Sequence, residues 1–215
     1  MAEFIGTALL VAGVVGSGIM AENLSGGNQA LALLANALAT GFLLPVLIQI
    51  FGPISGAHFN PVITLNEVLG KRISSLLGLV YGAAQILGGL FGTLLAHAMF
   101  GVKLLQLSAH ARSGPGQWLG EITATFGLAL LILRRDRIPT GQLPWLVGAY
   151  IAAAYWFTAS TSFANPAVTL ARAFTDSFSG IRLADTGAFI FSQILGALGA
   201  YLFDVWIRRR EESHV

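Results

Sequence analysis

Ser55-Gly56-Ala57-His58-Phe59-Asn60-Pro61-Val62-Ile63-Thr64-Leu65 and Ser160-Thr161-Ser162-Phe163-Ala164-Asn165-Pro166-Ala167 decide how this chain folds. Each stretch holds one Asn-Pro pair. Asn is a good helix N-cap, and Pro is favoured at the first helical position. A residue before Pro avoids the helical region, so each approach to Asn-Pro is extended. The apolar stretches that follow, 62–69 and 167–174, are far shorter than the roughly 20 residues a membrane-spanning helix needs. Each therefore reads as a re-entrant half-helix. Extended backbone at membrane depth survives only where it lines a wet cavity or is buried in protein. The geometry predicts a pore faced by the carbonyls of Gly56, Ala57, His58, Thr161 and Ser162.

The composition supports a lipid setting. Of 215 residues, 55% are hydrophobic and 10% charged, and mean hydropathy is +0.73. Soluble domains carry about 25% charged residues. The 26 glycines suit helices that approach closely without a hydrophobic force between them. There is no cysteine, which excludes disulfides, thiolate metal sites and cysteine nucleophiles. The net charge of +2 is divided among short loops and a tail, so it reads as topology-setting, with no nucleic-acid partner.

Six spans are expected, near 2–20, 30–50, 74–100, 117–133, 143–158 and 186–207; the fifth is short. The N-terminus lacks a basic region and carries Glu3, which favours a first transmembrane helix over a signal peptide. With six spans, Lys71, Arg72, Arg134, Arg135, Arg137, Arg208, Arg209 and Arg210 fall on one side. Lys103, Arg112, Arg172 and Arg182 fall on the other. Basic loops stay cytoplasmic, so both termini are expected in the cytoplasm.

The chain also echoes itself. Glu3-Phe4-Ile5-Gly6-Thr7 is matched by Glu121-Ile122-Thr123-Ala124-Thr125, Asn60-Pro61 by Asn165-Pro166, and Gln85-Ile86-Leu87-Gly88 by Gln193-Ile194-Leu195-Gly196. Three matches in one order indicate duplication, with repeats of approximately 1–105 and 116–210 inside a single domain, 1–215. Three spans per repeat is an odd number, so the second repeat enters from the opposite side and the halves are inverted.

The paired motifs Ser55 to Leu65 and Phe163 to Ala167 resemble the two signatures of the aquaporin and aquaglyceroporin (major intrinsic protein) family. The Glu3, Glu121, Gln85 and Gln193 helices are similar to that family's repeat. The resemblance covers nearly the whole chain. It implies an all-α integral membrane protein of the aquaporin fold, with six transmembrane helices and two half-helices. It also implies a homotetramer with one pore per subunit, no cofactor, and a place in the cell (inner) membrane.

Two departures from the family pattern stand out. The first motif ends in Val62 instead of Ala, a small change expected beside the pore. In most relatives an Arg follows the second Asn-Pro-Ala and lines the narrowest constriction; here that position is Val168. Ungapped matching puts the other constriction positions at Thr40, Ala153 and Ser162, all small. The variant resembles a bacterial branch associated with trivalent arsenic permeation. Arg172 lies one helical turn beyond Val168. Its expected role is an outward interface charge, with partial replacement of the missing Arg as the alternative. Without that Arg the constriction should be wider, less polar and less strict.

The expected function is passive passage of small uncharged solutes: water, and larger molecules such as glycerol, urea or arsenous acid. Opposed half-helix N-termini, each worth roughly +0.5 charge, oppose a cation by about 3 kcal/mol in total. The amides of Asn60 and Asn165 are expected to donate hydrogen bonds to solutes. Glu3 and Glu121 read as braces for the re-entrant loops in preference to a proton relay. His58 reads as a brace in preference to a pH sensor. His97 and His110 are isolated and suggest no metal site. No nucleophile–base constellation appears, so an enzyme is not expected. The alternatives are a water-selective aquaporin and, in another class, a secondary transporter. The transporter would need ionisable groups at the midplane, where this chain offers Asn.

Overall fold

A computed structural model describes residues 1–213. All regular structure among them is helical: α1 (Ala2–Leu24), α2 (Gln29–Ser55), α3 (Pro61–Leu69), α4 (Ser75–Phe100), α5 (Pro115–Leu133), α6 (Leu143–Phe157), α7 (Pro166–Arg172) and α8 (Leu183–Glu212), with a 3-10 turn at Arg135–Arg137. α1, α2, α4, α5 and α8 are long and apolar enough to cross a membrane. The helix expected over 143–158 is shorter than the other five. At 15 residues α6 rises about 22 Å, and a turn at 158–161 carries the chain on toward Asn165. Several helices outrun the expected spans. α2 continues through Pro53 to a left-handed Gly56 cap. α8 gains a charged last turn, where Arg134 and Arg137 both pair with Glu211.

α1 packs on α4 and α2, α5 packs on α8, and α2 packs on α6. α3 leaves the first half to touch α5 and α8; α7 leaves the second half to touch α1 and α4. The closest approaches depend on glycine. A Cβ at Gly88 would fall 2.3 Å from the Phe4 carbonyl oxygen, and one at Gly92 would fall 2.2 Å from that of Ala8. These two residues, four apart on one face of α4, let the α1 and α4 backbones touch.

The charges gather at two ends. At one end Arg72 and Arg135 both fork onto Glu67, and Arg208 bridges Asp204 and Asp136. At the other, Arg182 pairs with Asp185, and Arg112 donates to the carbonyls of Gly180 and Phe178. Between them the outer surface is apolar, with Phe42, Leu79, Phe91 and Phe191 exposed.

Candidate functional site

Both half-helices begin as the sequence dictates. Asn60 and Asn165 sit in extended N-cap conformations with Pro at the first helical position. The Asn60 side-chain oxygen accepts from Val62 N at 3.1 Å. The Asn165 oxygen accepts from Ala167 N at 2.9 Å and Val168 N at 3.3 Å. The same side chains cross to the opposite loop. Asn60 Nδ2 donates to the Ala164 carbonyl at 2.7 Å, and Asn165 Nδ2 donates to the Phe59 carbonyl at 2.8 Å. The two half-helices thus meet tip to tip. Each amide spends one N–H on the crossing and keeps a second.

The approaches to the tips are strained. Ala57, Phe59, Thr161, Ser162 and Ala164 all have positive φ, a conformation costing on the order of 1–3 kcal/mol for a non-glycine residue. Two buried carboxylates offset that cost. Glu3 accepts from His58 N at 3.1 Å, Phe59 N at 2.7 Å, Ser55 Oγ at 2.6 Å and Gln85 Nε2 at 2.7 Å. Glu121 accepts from Phe163 N and Ala164 N, both at 2.9 Å, and from Gln193 Nε2 at 2.6 Å. The glutamines also donate to Thr64 and Thr169 of the half-helices. Both carboxylates therefore sit as acceptors for loop amides. His58 likewise braces its loop, with Nδ1 3.0 Å from Thr64 Oγ1, while its ring lines the cavity described next. His97 is held through both ring nitrogens, by the Leu104 carbonyl and Thr175 Oγ1.

A cavity of about 470 Å³ enters the molecule from one end. It opens between Arg72, Arg135 and Leu143, passes Gly56, Ala57, His58, Asn60 and Asn165, and ends beside Thr40, Ser162, Val168 and Arg172. A second cavity approaches from the other end, lined by Arg112, Thr161 and Phe178 among others. The adjacent residues Thr161 and Ser162 line different cavities, so the partition between the two lies at their level.

Three expectations need correction. Ala153 does not border either cavity; it lies with Ala149 and Trp156 on the exposed face of α6. Ungapped matching to the family misplaces it by half a helical turn. The inward face runs Val147, Ile151, Tyr155, and the Tyr155 hydroxyl lies 3.2 Å from Thr40 Oγ1. That i, i+4 spacing was the available clue to Tyr155. Val62 packs in the apolar core beside neither cavity, as its partner Ala167 is also buried away from them. Arg172 is not an outward charge. It is 1% exposed, it stacks over Phe163 with its guanidinium carbon 3.4 Å from the ring centroid, and it lines the cavity. Arg112, which sequence reasoning treated only as a loop charge, is 7% exposed and lies 5.2 Å from the same ring.

This geometry agrees with comparison to known proteins. The family model described as major intrinsic protein matches residues 1–154. The chain belongs to the major intrinsic protein family. It is 53% identical to aquaglyceroporin AqpS of Rhizobium meliloti (strain 1021), over 96% of this chain and 88% of that protein. It is 32% identical to human aquaporin-1, over 99% of this chain and 83% of the relative. The solved structure of the aquaglyceroporin from Plasmodium falciparum shares the fold, with a TM-score of 0.72 at 20% identity, covering 95% of this chain and 92% of that one. As a major intrinsic protein the chain is a membrane channel for water and small neutral solutes, and not an enzyme.

Proposed function

We propose that this major intrinsic protein passes neutral solutes larger than water, with glycerol, urea and arsenous acid as the test molecules. The observation that carries this is the tip-to-tip Asn60 and Asn165 pair inside a cavity whose constriction side chains, Thr40, Ser162 and Val168, are small. The AqpS relative is called an aquaglyceroporin, which fits a solute range beyond water. In this reading the second N–H of each Asn amide donates to a passing solute. Carbonyls of Gly56, Ala57, His58, Thr161 and Ser162 accept from it. Neutral molecules thereby replace the hydrogen bonds they shed, whereas a cation loses hydration that the pore does not repay.

Glu3 and Glu121 support passive flow. Both carboxylates are committed to loop amides and a glutamine, which suits bracing and leaves little for proton coupling. We assign 1–215 to one domain built from inverted repeats, approximately 1–105 and 116–210. The paired Glu, Asn and Gln hydrogen bonds support that assignment. Collection of Arg72, Arg134, Arg135, Arg137 and Arg208 at one end supports cytoplasmic termini in an inner membrane. A homotetramer follows from the family resemblance.

Stopped-flow light scattering on proteoliposomes tests the proposal. Water, glycerol and urea should all equilibrate faster than in empty liposomes, without saturation and without dependence on an ion gradient. One observation favours the narrower, water-selective reading: Arg172 adds bulk where the cavity ends. Water flow without glycerol flow would establish that reading instead.

A further inference from the structure

The constriction contains two guanidinium groups that the position of Val168 would lead one to think it lacks. Arg172 rises from the end of α7 and lies over Phe163; its Nε donates to the Ser179 carbonyl. Arg112 comes from the segment between α4 and α5. Its Nε donates to the Gly180 carbonyl at 2.7 Å, and its Nη1 reaches the Ser160 carbonyl at 3.5 Å and Thr161 Oγ1 at 3.4 Å. Successive carbonyls, Ser179 and Gly180, thus hold the two arginines against one aromatic ring. Arg172 lines the cavity on one side of the partition and Arg112 lines the cavity on the other.

Neither guanidinium is neutralised. Among the described residues no carboxylate pairs with Arg112 or Arg172. Asp185, which accepts from the Arg112 backbone N–H, is itself bound by Arg182. Two polar atoms at this level also lack partners: Arg172 Nη1 and Ser162 Oγ. Both residues border the same cavity. Buried donors without partners are rare in native structures and ask for a reason. Both atoms are closed to solvent as the side chains stand; a solute oxygen that reaches them through a small side-chain rotation supplies one. Phe163 holds the fork flat by cation–π stacking, so its free donor edge is fixed in advance.

The geometry points to Arg172 and Arg112 as the charge-selecting element of this channel, standing in from one helical turn away and from a loop for the arginine that position 168 lacks. The inference rests on the channel function proposed above. It changes the expected character of the constriction: charge is kept, while the space beside Val168 stays free for bulkier neutral solutes. Arg172 Nη1 and Ser162 Oγ orient those solutes, and the paired positive charges turn cations back.

The test uses the full chain in proteoliposomes, with glycerol swelling and potassium or proton leak measured on the same vesicles. The native channel should carry glycerol and hold the ion gradient. Removing both charges, Arg172→Gln with Arg112→Gln, should raise cation leak at least about tenfold, as expected for losing unit charges several ångströms from the path, and should weaken discrimination between glycerol and urea. Adding Val168→Arg to that double variant should restore tightness, because it returns charge without returning the loop bonds. A double variant as tight as the native channel would overturn the inference. So would leak that Val168→Arg leaves unchanged, since the arginines would then be loop braces alone. Arg172→Lys serves if the glutamine variants do not fold. It keeps the charge and loses the fork, so it should stay ion-tight but lose discrimination between glycerol and urea; leak in this variant would also overturn the inference. A native channel that carries no glycerol would refute the solute reading and leave the ion-leak comparison standing.

Discussion

The side-chain nitrogen of Asn60 lies 2.7 Å from the carbonyl oxygen of Ala164, in the opposite half of the molecule. Asn165 makes the reciprocal bond to Phe59. An amide is the side chain that can cap its own half-helix through oxygen and fasten the other loop through nitrogen at once.

Asn165→Asp separates those two tasks. Aspartate keeps the acceptor for Ala167 N and Val168 N but has no donor for the Phe59 carbonyl. Leaving that buried acceptor unpaired should cost about 1–3 kcal/mol, visible as a lower unfolding temperature in detergent. The added negative charge should also admit cations. Unchanged melting together with unchanged ion tightness would show that the crossing bond is dispensable.

Glu121→Gln should destabilise by a similar mechanism. Glu121 receives three donors, from Phe163, Ala164 and Gln193. Glutamine turns an NH2 group toward at least one of them. A loss of about 1–3 kcal/mol per orphaned donor is expected, along with reduced solute flow as the 160–164 loop relaxes. Native stability and flow in Glu121→Gln would mean the loop is held by other contacts.

Gly92→Ala and Gly82→Ala form a matched pair on α4. The Cβ at Gly92 would meet the Ala8 carbonyl oxygen at 2.2 Å, while a Cβ at Gly82 meets nothing within 4 Å. Gly92→Ala should push α1 and α4 apart and lower folded yield in membranes. Gly82→Ala should be neutral or gain about 0.5–1 kcal/mol from reduced backbone entropy. Equal behaviour of the two would argue against close backbone packing of these helices.

Val168→Arg in the native background places a third guanidinium beside Arg172 and Ser162. Water flow should survive and glycerol flow should fall sharply in stopped-flow traces. Retention of both would show that position 168 does not border the narrowest point.

Much of this was legible from residue order. The Asn-Pro pairs located both half-helices, and the Glu echoes picked out the two carboxylates that accept from the loop amides. The resemblance to the major intrinsic protein family led to the channel. What misled was matching without gaps. Ala153 came from ungapped matching to the family pattern, whereas Tyr155 continues the inward face of Val147 and Ile151. Arg172 was misjudged because a charge one turn from an apolar position is ordinarily solvated.

Local chemistry settled the rest of the backbone plan. Capping preference, the restriction before proline and the length of each apolar run are properties of neighbouring residues, so the sequence alone determined two broken helices among longer ones. Which arginines reach the constriction was decided only by the tertiary structure. Residues 112, 163, 172 and 179 lie far apart or on separate elements, and only packing brings two guanidiniums onto one ring. A long side chain can swing by several ångströms, and its destination is set by the carbonyls and aromatic face it finds there.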